Sequence, residues 1–299
     1  ALKLVREPVL IARRDHRRRQ TPGEFGRDGR PRKTRHRTRR AVGVVGEDDP
    51  ADQLRAALAA RDVDTTHVLT DPARPTTVKM RVMAHMGLRF PQQVARLDTL
   101  SREPIDEAVA ASLLAALRSA LAGAGALLLS DYRSGVLTPA LVAAAQSLAD
   151  ATGVPLTADA QGEFDKYRGA ALVKCNAAEA AAYLDTLLTT DSDYAAAARS
   201  LVDQLSLSVG MVVTRGSAGS TLATADGDVH HLPAPSVTDV FDTVGAGDTA
   251  IAVTTLALTV GAPPKDAVTL ANYASGLVVR RVGNYTPSAA ELRNALMSN

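Results

Sequence analysis

The sequence predicts an α/β protein built on one doubly wound, mostly parallel sheet. Short apolar runs that suit buried strands alternate with longer stretches that suit helices across residues 41–281. Polar residues end or follow four of the apolar runs, namely Asp131, Asp159, Asn176 and Thr214. The carboxyl ends of parallel strands share one edge of the sheet, and ligands bind at that edge. We therefore expect a ligand site there.

Composition limits the class of protein. Hydrophobic residues make up 46% of the 299 residues and aromatic residues only 3%, so the core must consist mostly of Ala, Val and Leu. The single cysteine, Cys175, cannot form an internal disulfide. No stretch has the length of a membrane span or resembles a signal peptide, so we expect a cytoplasmic protein without a membrane partner.

The N-terminal segment 1–40 differs from the rest of the chain. It holds 15 Lys and Arg against 4 acidic residues, whereas the remaining residues hold 19 against 28. The short apolar run after Pro8 predicts an edge strand, and the block 13–40, with its 12 arginines, cannot bury an apolar face. A nucleic-acid-binding arm is one interpretation, but no interleaved aromatic residues or zinc-ligand spacing support it, and we do not expect this activity.

From Ala41 the periodicity becomes regular. A strand is predicted at 41–45, a helix at 51–60 and a half-exposed strand at 76–82. Thr138 and Pro139 suit the first turn of a later helix, and Gly153 suits its end. The other predicted strands are 125–130, 154–159, 171–174, 210–214, 219–223 and 228–232, and the other predicted helices are 103–121, 138–151, one opening at 176, 191–205, 249–260 and 264–281.

The stretch 242–248, DTVGAGD, predicts the start of a helix that binds an anion. The small residues Gly245, Ala246 and Gly247 let a ligand approach the backbone, where unpaired N–H groups and the positive end of the helix dipole form an anion hole. Asp248 would lie beside a phosphate bound there and could take a proton from an attacking hydroxyl. The stretch therefore favours phosphoryl transfer, and a glycine turn in which Asp248 only caps the helix is the alternative.

The heptapeptide resembles the signature of the ribokinase-like (PfkB) sugar kinases. Further similarity to the D-glycero-β-D-manno-heptose 7-phosphate kinases lies in VGVVGED at 42–48, PTTVK at 75–79, residues 92–98 and SDY at 130–132. The resemblance implies a three-layer ribokinase-like kinase domain over 41–299, with a small β lid at about 74–98 that also forms a homodimer contact. It implies ATP and Mg²⁺ as cofactors, leaves a monovalent cation open, and implies heptose 7-phosphate as the acceptor, with the 1,7-bisphosphate as product.

The resemblance also assigns residues to nucleotide and metal binding. Asn176 and Glu179 match an Asn-x-x-Glu element that helps hold Mg²⁺ and the nucleotide phosphates through water, which suits a metal that keeps most of its hydration shell. The spacing of these two residues equally suits a helix cap and its capping-box partner, and both roles can hold at once. The full set of nucleotide-binding residues implied by the resemblance is Asn176, Ala177, Ala178, Glu179, Thr214, Arg215, Gly216, Gly219 and Asn272.

Some nucleotide assignments have a simpler interpretation, and a further set of residues bears on the substrate. The glycine turn at 214–219 is also an ordinary hairpin feature, and Asn272 could be a polar residue on an exposed helix face. Lys79 and Arg81 on the lid strand could meet a sugar phosphate or form a solvated strand face. Asp131 is the third residue that we assign to the substrate. The family usually has a lysine in the position of Gln161.

The N-terminal part departs from the family pattern. A first strand ending in Gly-Asp and the Gly-Gly-x-x-Asn element are both absent. One hypothesis is that about 23–40 is translated out of frame, since alanine codons such as GCG in a GC-rich gene become arginine codons when they are read one base later. A catalytically impaired pseudokinase or another sugar kinase of the same fold, of the ribokinase or fructokinase type, are the competing functions. Relatives are sometimes fused to an adenylyltransferase, for which we expect no room in 299 residues.

Overall fold

The computed structural model describes residues 2–4, 9–13, 39–84, 92–236 and 240–298. Most of the arginine-rich block, and with it the nucleic-acid arm and the reading-frame hypothesis, lies outside these residues. Within the described ranges, every helix is too short or too polar to cross a bilayer.

The strands of the described residues form one sheet of nine strands and one of three. They are β1 Leu2–Leu4, β2 Val9–Arg13, β3 Arg39–Val45, β4 Val63–Thr70, β5 Val78–Ala84, β6 Gln92–Thr99, β7 Ala124–Asp131, β8 Leu156–Ala160, β9 Leu172–Asn176, β10 Gly210–Thr214, β11 Ser220–Thr224 and β12 Val229–Leu232. The large sheet has the order β12-β11-β10-β9-β8-β7-β2-β3-β4, and the small sheet has the order β1-β5-β6.

The large sheet is mostly parallel, as predicted. Strands β3, β4, β7, β8, β9, β10 and β12 run in one direction, and only β2 and β11 run against them. The strand predicted after Pro8 is present as β2, but the edge position predicted for it is wrong, because it pairs with both β3 and β7. Pairing on both sides satisfies its backbone N–H and C=O groups, which an edge strand leaves to solvent.

The helices of the described residues follow the predicted order closely. They are α1 Asp49–Ala59, α2 Glu107–Ala120, α3 Pro139–Thr152, α4 Ala177–Leu184, α5 Asp191–Leu205, α6 Ala246–Thr259, α7 Pro264–Val279 and α8 Ala289–Met297. The predicted boundaries of α3 are confirmed, since the Thr138 side chain accepts a hydrogen bond from the Leu141 N–H and Gly153 ends the helix with a φ of 63°. Asp106 rather than Glu103 precedes α2, and α8 was not predicted.

Side-chain alternation along β7 separates the two helical layers. Leu127 and Leu129 belong to the cluster that includes Leu113 of α2, whereas Leu128 belongs to a second cluster with Ile251 of α6. Because successive strand residues point to opposite faces, α2, α3 and α5 cover one face and α6 and α7 the other. The core therefore lies in three layers.

The small sheet contains most of the range predicted as a lid. Two hydrogen bonds just after β3 hold the segment that leads into the small sheet. The backbone N–H of Gly46 donates to Thr76 Oγ1 at 2.8 Å, and the Thr76 N–H donates to the Asp48 carboxylate at 2.8 Å. Gly46 has no room for a side chain, since a Cβ there would lie 2.5 Å from the Arg74 carbonyl oxygen. The small sheet is thus anchored next to the carboxyl end of β3.

Candidate active site

The carboxyl ends of four adjacent strands form one edge of the large sheet. Ser130 of β7 pairs with Asp159 of β8, and Asp159 pairs with Lys174 of β9. Thr214 ends β10 opposite Asn176. The polar residues that follow the predicted strands therefore lie along one edge, as predicted.

The DTVGAGD stretch crosses this edge and begins α6, as predicted. Gly245 is the N-cap with a φ of 84°, a left-handed conformation that favours glycine, and α6 starts at Ala246. The Ala246 N–H donates to the Thr243 carbonyl at 3.3 Å. Among the described residues, no acceptor takes the N–H groups of Gly245, Gly247 and Asp248. These groups point to an anion-binding helix start.

The loop before α6 is fixed by Asp242, a residue whose role the sequence did not predict. One carboxylate oxygen of Asp242 accepts from the Val244 N–H at 2.9 Å, and the other accepts from the Gly283 N–H at 3.0 Å. Ser275 of α7 donates to the Ala246 carbonyl at 2.9 Å. These contacts tie the glycine loop to α7 and its following turn, so the unbonded N–H groups have a fixed position.

Asp248 is exposed in the first turn of α6. The Tyr132 hydroxyl, just beyond β7, donates to Asp248 Oδ1. The Lys79 Nζ atom of β5 lies 4.8 Å from the centroid of the Tyr132 ring. The fold therefore brings a carboxylate, a hydroxyl and a cation from three separate elements to the start of α6.

A buried ion pair lies on the other side of the glycine loop. Lys174 Nζ donates to both carboxylate oxygens of Asp159, at 2.7 and 2.8 Å. Burial alone would lower the pKa of Lys174, but the charge of Asp159 and its hydrogen bonds raise that pKa above its ordinary value, so the lysine stays protonated. Lys174 was not among the predicted site residues, although a lysine between Val173 and Cys175 in an apolar strand is unusual.

Asp131 occupies a different environment from Asp248. It is 2% exposed, and its carboxylate accepts from Lys166 Nζ at 2.6 Å, from the Tyr167 hydroxyl at 2.6 Å and from the Arg133 N–H at 2.8 Å. These contacts hold the turn after β7. They do not direct the carboxylate toward the start of α6, and the substrate role of Asp131 stays a prediction.

The first turn of α4 carries the Asn-x-x-Glu element. Asn176 Oδ1 accepts from the Glu179 N–H at 2.9 Å and Glu179 Oε2 accepts from the Asn176 N–H at 2.7 Å, so the capping box is confirmed. Ala177 and Ala178 form the turn between them. Burial raises the pKa of Glu179, in opposition to the hydrogen bond from the Asn176 backbone.

The same element fits a water-rich Mg²⁺ site. The Oε1 atom of Glu179 has no hydrogen-bond donor among the described residues. Those residues also contain no group of three or more His, Cys, Asp and Glu that could enclose a metal ion. A cation held there would need water and phosphate oxygens to complete its shell, which is how Mg²⁺ is usually bound.

The turn after β10 is held by contacts within the protein. The Arg215 guanidinium pairs with Asp191 at 2.6 Å and lies 4.2 Å from the centroid of the Tyr194 ring. Gly216 has a φ of 59° and begins a 3-10 turn, and a Cβ at Gly219 would lie 2.1 Å from the Leu232 carbonyl oxygen. The Thr214 hydroxyl donates to the Cys175 carbonyl at 3.2 Å. Nucleotide binding by this turn stays a prediction.

Asn272 is buried in α7, so its interpretation as an exposed polar residue is wrong. Its Nδ2 atom donates to the Leu232 carbonyl at 3.0 Å, and its Oδ1 atom accepts from Ser220 at 3.2 Å. An amide at this position joins α7 to the β11–β12 hairpin and satisfies two buried groups. Its role in nucleotide binding stays a prediction.

Lys79 and Arg81 lie on the same face of β5, because strand residues two apart point the same way. The Arg81 Nη1 atom is buried and has no hydrogen-bond partner among the described residues. Arg81 also pairs across the strands with Arg96, which bonds to Asp98 at 3.0 Å. This face therefore carries three cations against the one carboxylate of Asp98, which is the cross-strand partner of Lys79. Of the cations, Lys79 lies next to Tyr132.

Comparison with protein families matches residues 37–291 to the pfkB family of carbohydrate kinases. Among curated relatives, the bifunctional protein HldE of Azorhizobium caulinodans is 41% identical over 257 residues, and that of Caulobacter vibrioides is 40% identical over 255 residues. These alignments cover 85% and 84% of this chain, but 52% and 50% of the relatives. The chain thus spans about half the length of the curated relatives it matches.

Solved structures share the fold at low sequence identity. Ribokinase of Arabidopsis thaliana, complexed with ribose and ATP, has a TM-score of 0.71 and 19% identity, with 87% of this chain and 82% of that chain covered. Phosphofructokinase-2 of Escherichia coli, in complex with fructose-6-phosphate, has a TM-score of 0.69 and 19% identity, with 87% and 81% covered. The nine-stranded sheet with helices on both faces is therefore a ribokinase-like fold. Together with the family match and the HldE relatives, this shows that the chain belongs to the pfkB family of carbohydrate kinases, which are phosphotransferases with an alcohol group as acceptor.

Proposed function

We propose that this chain transfers the γ-phosphoryl group of ATP to a hydroxyl of a sugar phosphate, converting heptose 7-phosphate to heptose 1,7-bisphosphate. The observation that carries the proposal is the exposed Asp248 carboxylate next to the unbonded N–H groups of Gly245 and Gly247. The choice of sugar rests on the resemblance to heptose 7-phosphate kinases and on the similarity to HldE proteins.

The proposed reaction needs a base and a site for the transferred group. Asp248 takes the proton of the attacking sugar hydroxyl. The oxygen of that hydroxyl bonds to the γ-phosphorus while the bond from the γ-phosphorus to the bridging oxygen of the departing ADP breaks. The N–H groups at the start of α6 stabilise the charge on the transferred phosphoryl. Because little covalent chemistry is asked of the protein, positioning and electrostatics account for most of the rate.

Asn176 and Glu179 would hold Mg²⁺ through water, at the same edge of the sheet. Bound Mg²⁺ supplies positive charge that neutralises the ATP phosphates. Glu179 keeps one carboxylate oxygen for a metal-bound water, while the other stays in the capping box. The resemblance-based ATP contacts of Thr214, Arg215, Gly216, Gly219 and Asn272 form part of the same proposal.

The cationic face of β5 would bind the phosphate that the acceptor already carries. Lys79 adjoins Tyr132, which bonds to Asp248, so a sugar bound between them reaches the base. Arg81, two residues further along, carries a buried Nη1 atom without a partner among the described residues. A phosphate oxygen would satisfy that donor and offset the repulsion from Arg96.

The opposite face of the small sheet suits contact with a second copy of the chain. Met80 and Leu97 are cross-strand partners, and Val82 follows Met80 on the same face. Val82 and Leu97 are 42% and 56% exposed, which is unusual for large apolar residues that share one patch. We expect a homodimer there, and Leu97→Glu should convert it to a monomer in light scattering, whereas the exposed Leu187→Glu should not.

The test is ATP consumption with Mg²⁺ against heptose 7-phosphate, fructose-6-phosphate, ribose and fructose. We expect turnover with heptose 7-phosphate, its loss in Asp248→Asn, and a KM for this sugar raised at least about tenfold in Arg81→Met, the loss of one charge-assisted contact. Turnover on ribose or fructose alone would overturn the sugar-phosphate assignment. ATP binding without turnover on any sugar would indicate a pseudokinase.

A further inference from the structure

The buried lysine of β9 lies against the glycine loop, and none of the predicted site residues accounts for a cation at this position. Lys174 is 6% exposed and is the cross-strand partner of Asp159, so both side chains point to the same face of the sheet. The same face is covered by α6, whose first turn includes Gly247. The ion pair is therefore confined between the sheet and the start of α6.

Gly247 leaves the space that the ammonium occupies. A Cβ built on Gly247 would lie 2.9 Å from Lys174 Nζ, so an alanine there would require the end of the lysine side chain to shift from its position against Asp159. The backbone of Gly247 is helical, so its conformation does not require glycine, and glycine weakens a helix relative to alanine. Gly245 is the opposite case, since its φ is 84° and no atom lies within 4 Å of its Cβ position.

One N–H of the Lys174 ammonium is left without an acceptor among the described residues. Asp159 accounts for two of its three hydrogens, and the described residues offer no acceptor for the third. A lysine beside a helix N-terminus meets partial charge of its own sign, which is unfavourable unless an anion is near. Asp159 supplies one such anion from the sheet, and a phosphoryl group bound to the unbonded N–H groups at the start of α6 would supply another from the helix side.

We propose that Lys174 is a phosphoryl-binding residue of this kinase. Asp159 holds its ammonium in place, and the absence of a side chain at Gly247 lets the ammonium lie next to the anion hole. The inference rests on the proposed function, because it takes the start of α6 as the site of the transferred group. It adds a fixed positive charge to that site and explains a glycine that the backbone does not need. Asp159 is then a positioning residue for Lys174.

The test removes the charge without leaving a buried charge unpaired. Lys174→Met alone would leave the buried Asp159 carboxylate without a counter-charge. The informative variant is therefore Asp159→Leu/Lys174→Met, in which an apolar pair replaces the ion pair. We expect this double variant to fold with an unfolding midpoint near that of the parent and to lose about 10²- to 10³-fold in kcat, the usual effect of removing one transition-state donor. Lys265→Met, at an exposed site in α7, is the control.

A binding measurement separates this role from a structural one. We expect the double variant to bind a non-hydrolysable ATP analogue roughly ten- to a hundredfold more weakly while its affinity for ADP is unchanged, since only the analogue has a γ-phosphate. Gly247→Ala should lower kcat in the parent and have little further effect in the double variant, which has no ammonium to displace.

The outcomes distinguish the two proposals. Full turnover in the double variant, or equal losses of affinity for the analogue and for ADP, overturns the role of Lys174 and leaves the proposed function intact if Asp248→Asn is inactive. Normal turnover in Asp248→Asn overturns the proposed function itself.

Discussion

Two carboxylates of this protein have similar neighbours and opposite surroundings. Asp131 and Asp248 each accept a hydrogen bond from a tyrosine hydroxyl, from Tyr167 and Tyr132 respectively. Asp131 is 2% exposed and also bonds directly to Lys166, whereas Asp248 is exposed. Reactivity therefore does not follow from residue type or from the tyrosine partner.

The two carboxylates differ in whether one of their oxygens is left without a hydrogen-bond donor. Both oxygens of Asp131 are occupied by donors within the protein, and the turn after β7 depends on them. Oδ2 of Asp248 has no donor among the described residues, and it lies in the first turn of α6. A saturated carboxylate stabilises structure, and an accessible one beside an anion hole can accept a proton. The predictions below test this division.

The largest effect is expected at Asp248. Asp248→Asn should lower kcat by roughly 10² to 10⁴, the usual contribution of a general base, with little change in the thermal unfolding midpoint because the side chain is exposed. Steady-state kinetics and calorimetry measure both. Asp203→Asn, at an exposed site in α5, is the control. Parent-level turnover in Asp248→Asn would exclude this residue as the base.

Asp131 should give the reverse result. Asp131→Asn leaves the buried Lys166 ammonium without its main counter-charge and should lower the free energy of unfolding by about 3 kcal/mol in urea titrations, at the low end for such a loss because Glu163 also contacts this lysine at 3.0 Å. Asp131→Leu/Lys166→Met should recover most of the loss. If Asp131→Asn were as stable as the parent but inactive, the division between the two carboxylates would fail.

The two tyrosines extend the same comparison. Tyr167→Phe removes a donor from a buried carboxylate and should lower the free energy of unfolding by about 1–2 kcal/mol. Tyr132→Phe should change stability by less than about 0.5 kcal/mol but lower kcat/KM by a factor of about 2–10, the effect of losing one hydrogen bond that orients an exposed carboxylate. Matched urea titrations and kinetics on both variants measure this, and a larger stability loss in Tyr132→Phe would contradict it.

A third carboxylate and tyrosine, Glu291 and Tyr285, should have the smallest effect. Hydrogen bonds from Tyr285 and from Ser288 lower the pKa of Glu291 to about 2. A carboxyl whose pKa is lower in the folded protein contributes stability above its ordinary pKa of 4.5 and loses that contribution as the pH falls toward 2. Glu291→Gln should therefore weaken the pH dependence of unfolding between these values. Parallel curves for parent and variant would contradict the assignment.

Local sequence patterns predicted most of the sheet edge that carries the site. Strands β7 to β10 are apolar runs that end in polar residues, and the caps of α3 at Thr138 and Gly153 act within one turn. Strand β4, Val63–Thr70, was missed because Asp64, Thr65 and Thr66 interrupt its apolar pattern, and only its pairing with β3 makes it a strand. Patterns of this kind are weak where a strand is half-buried.

By itself, the sequence determined the candidate anion hole and its carboxylate, because seven consecutive residues contain the glycines, the helix start and Asp248. Only the tertiary structure decided which other charged groups lie near it. The roles of Lys174 and Asp131 depend on contacts between residues far apart in the chain, such as Lys174 with Asp159 and Gly247. A charged side chain stabilises structure or serves chemistry according to its burial and its partners, and the fold sets both.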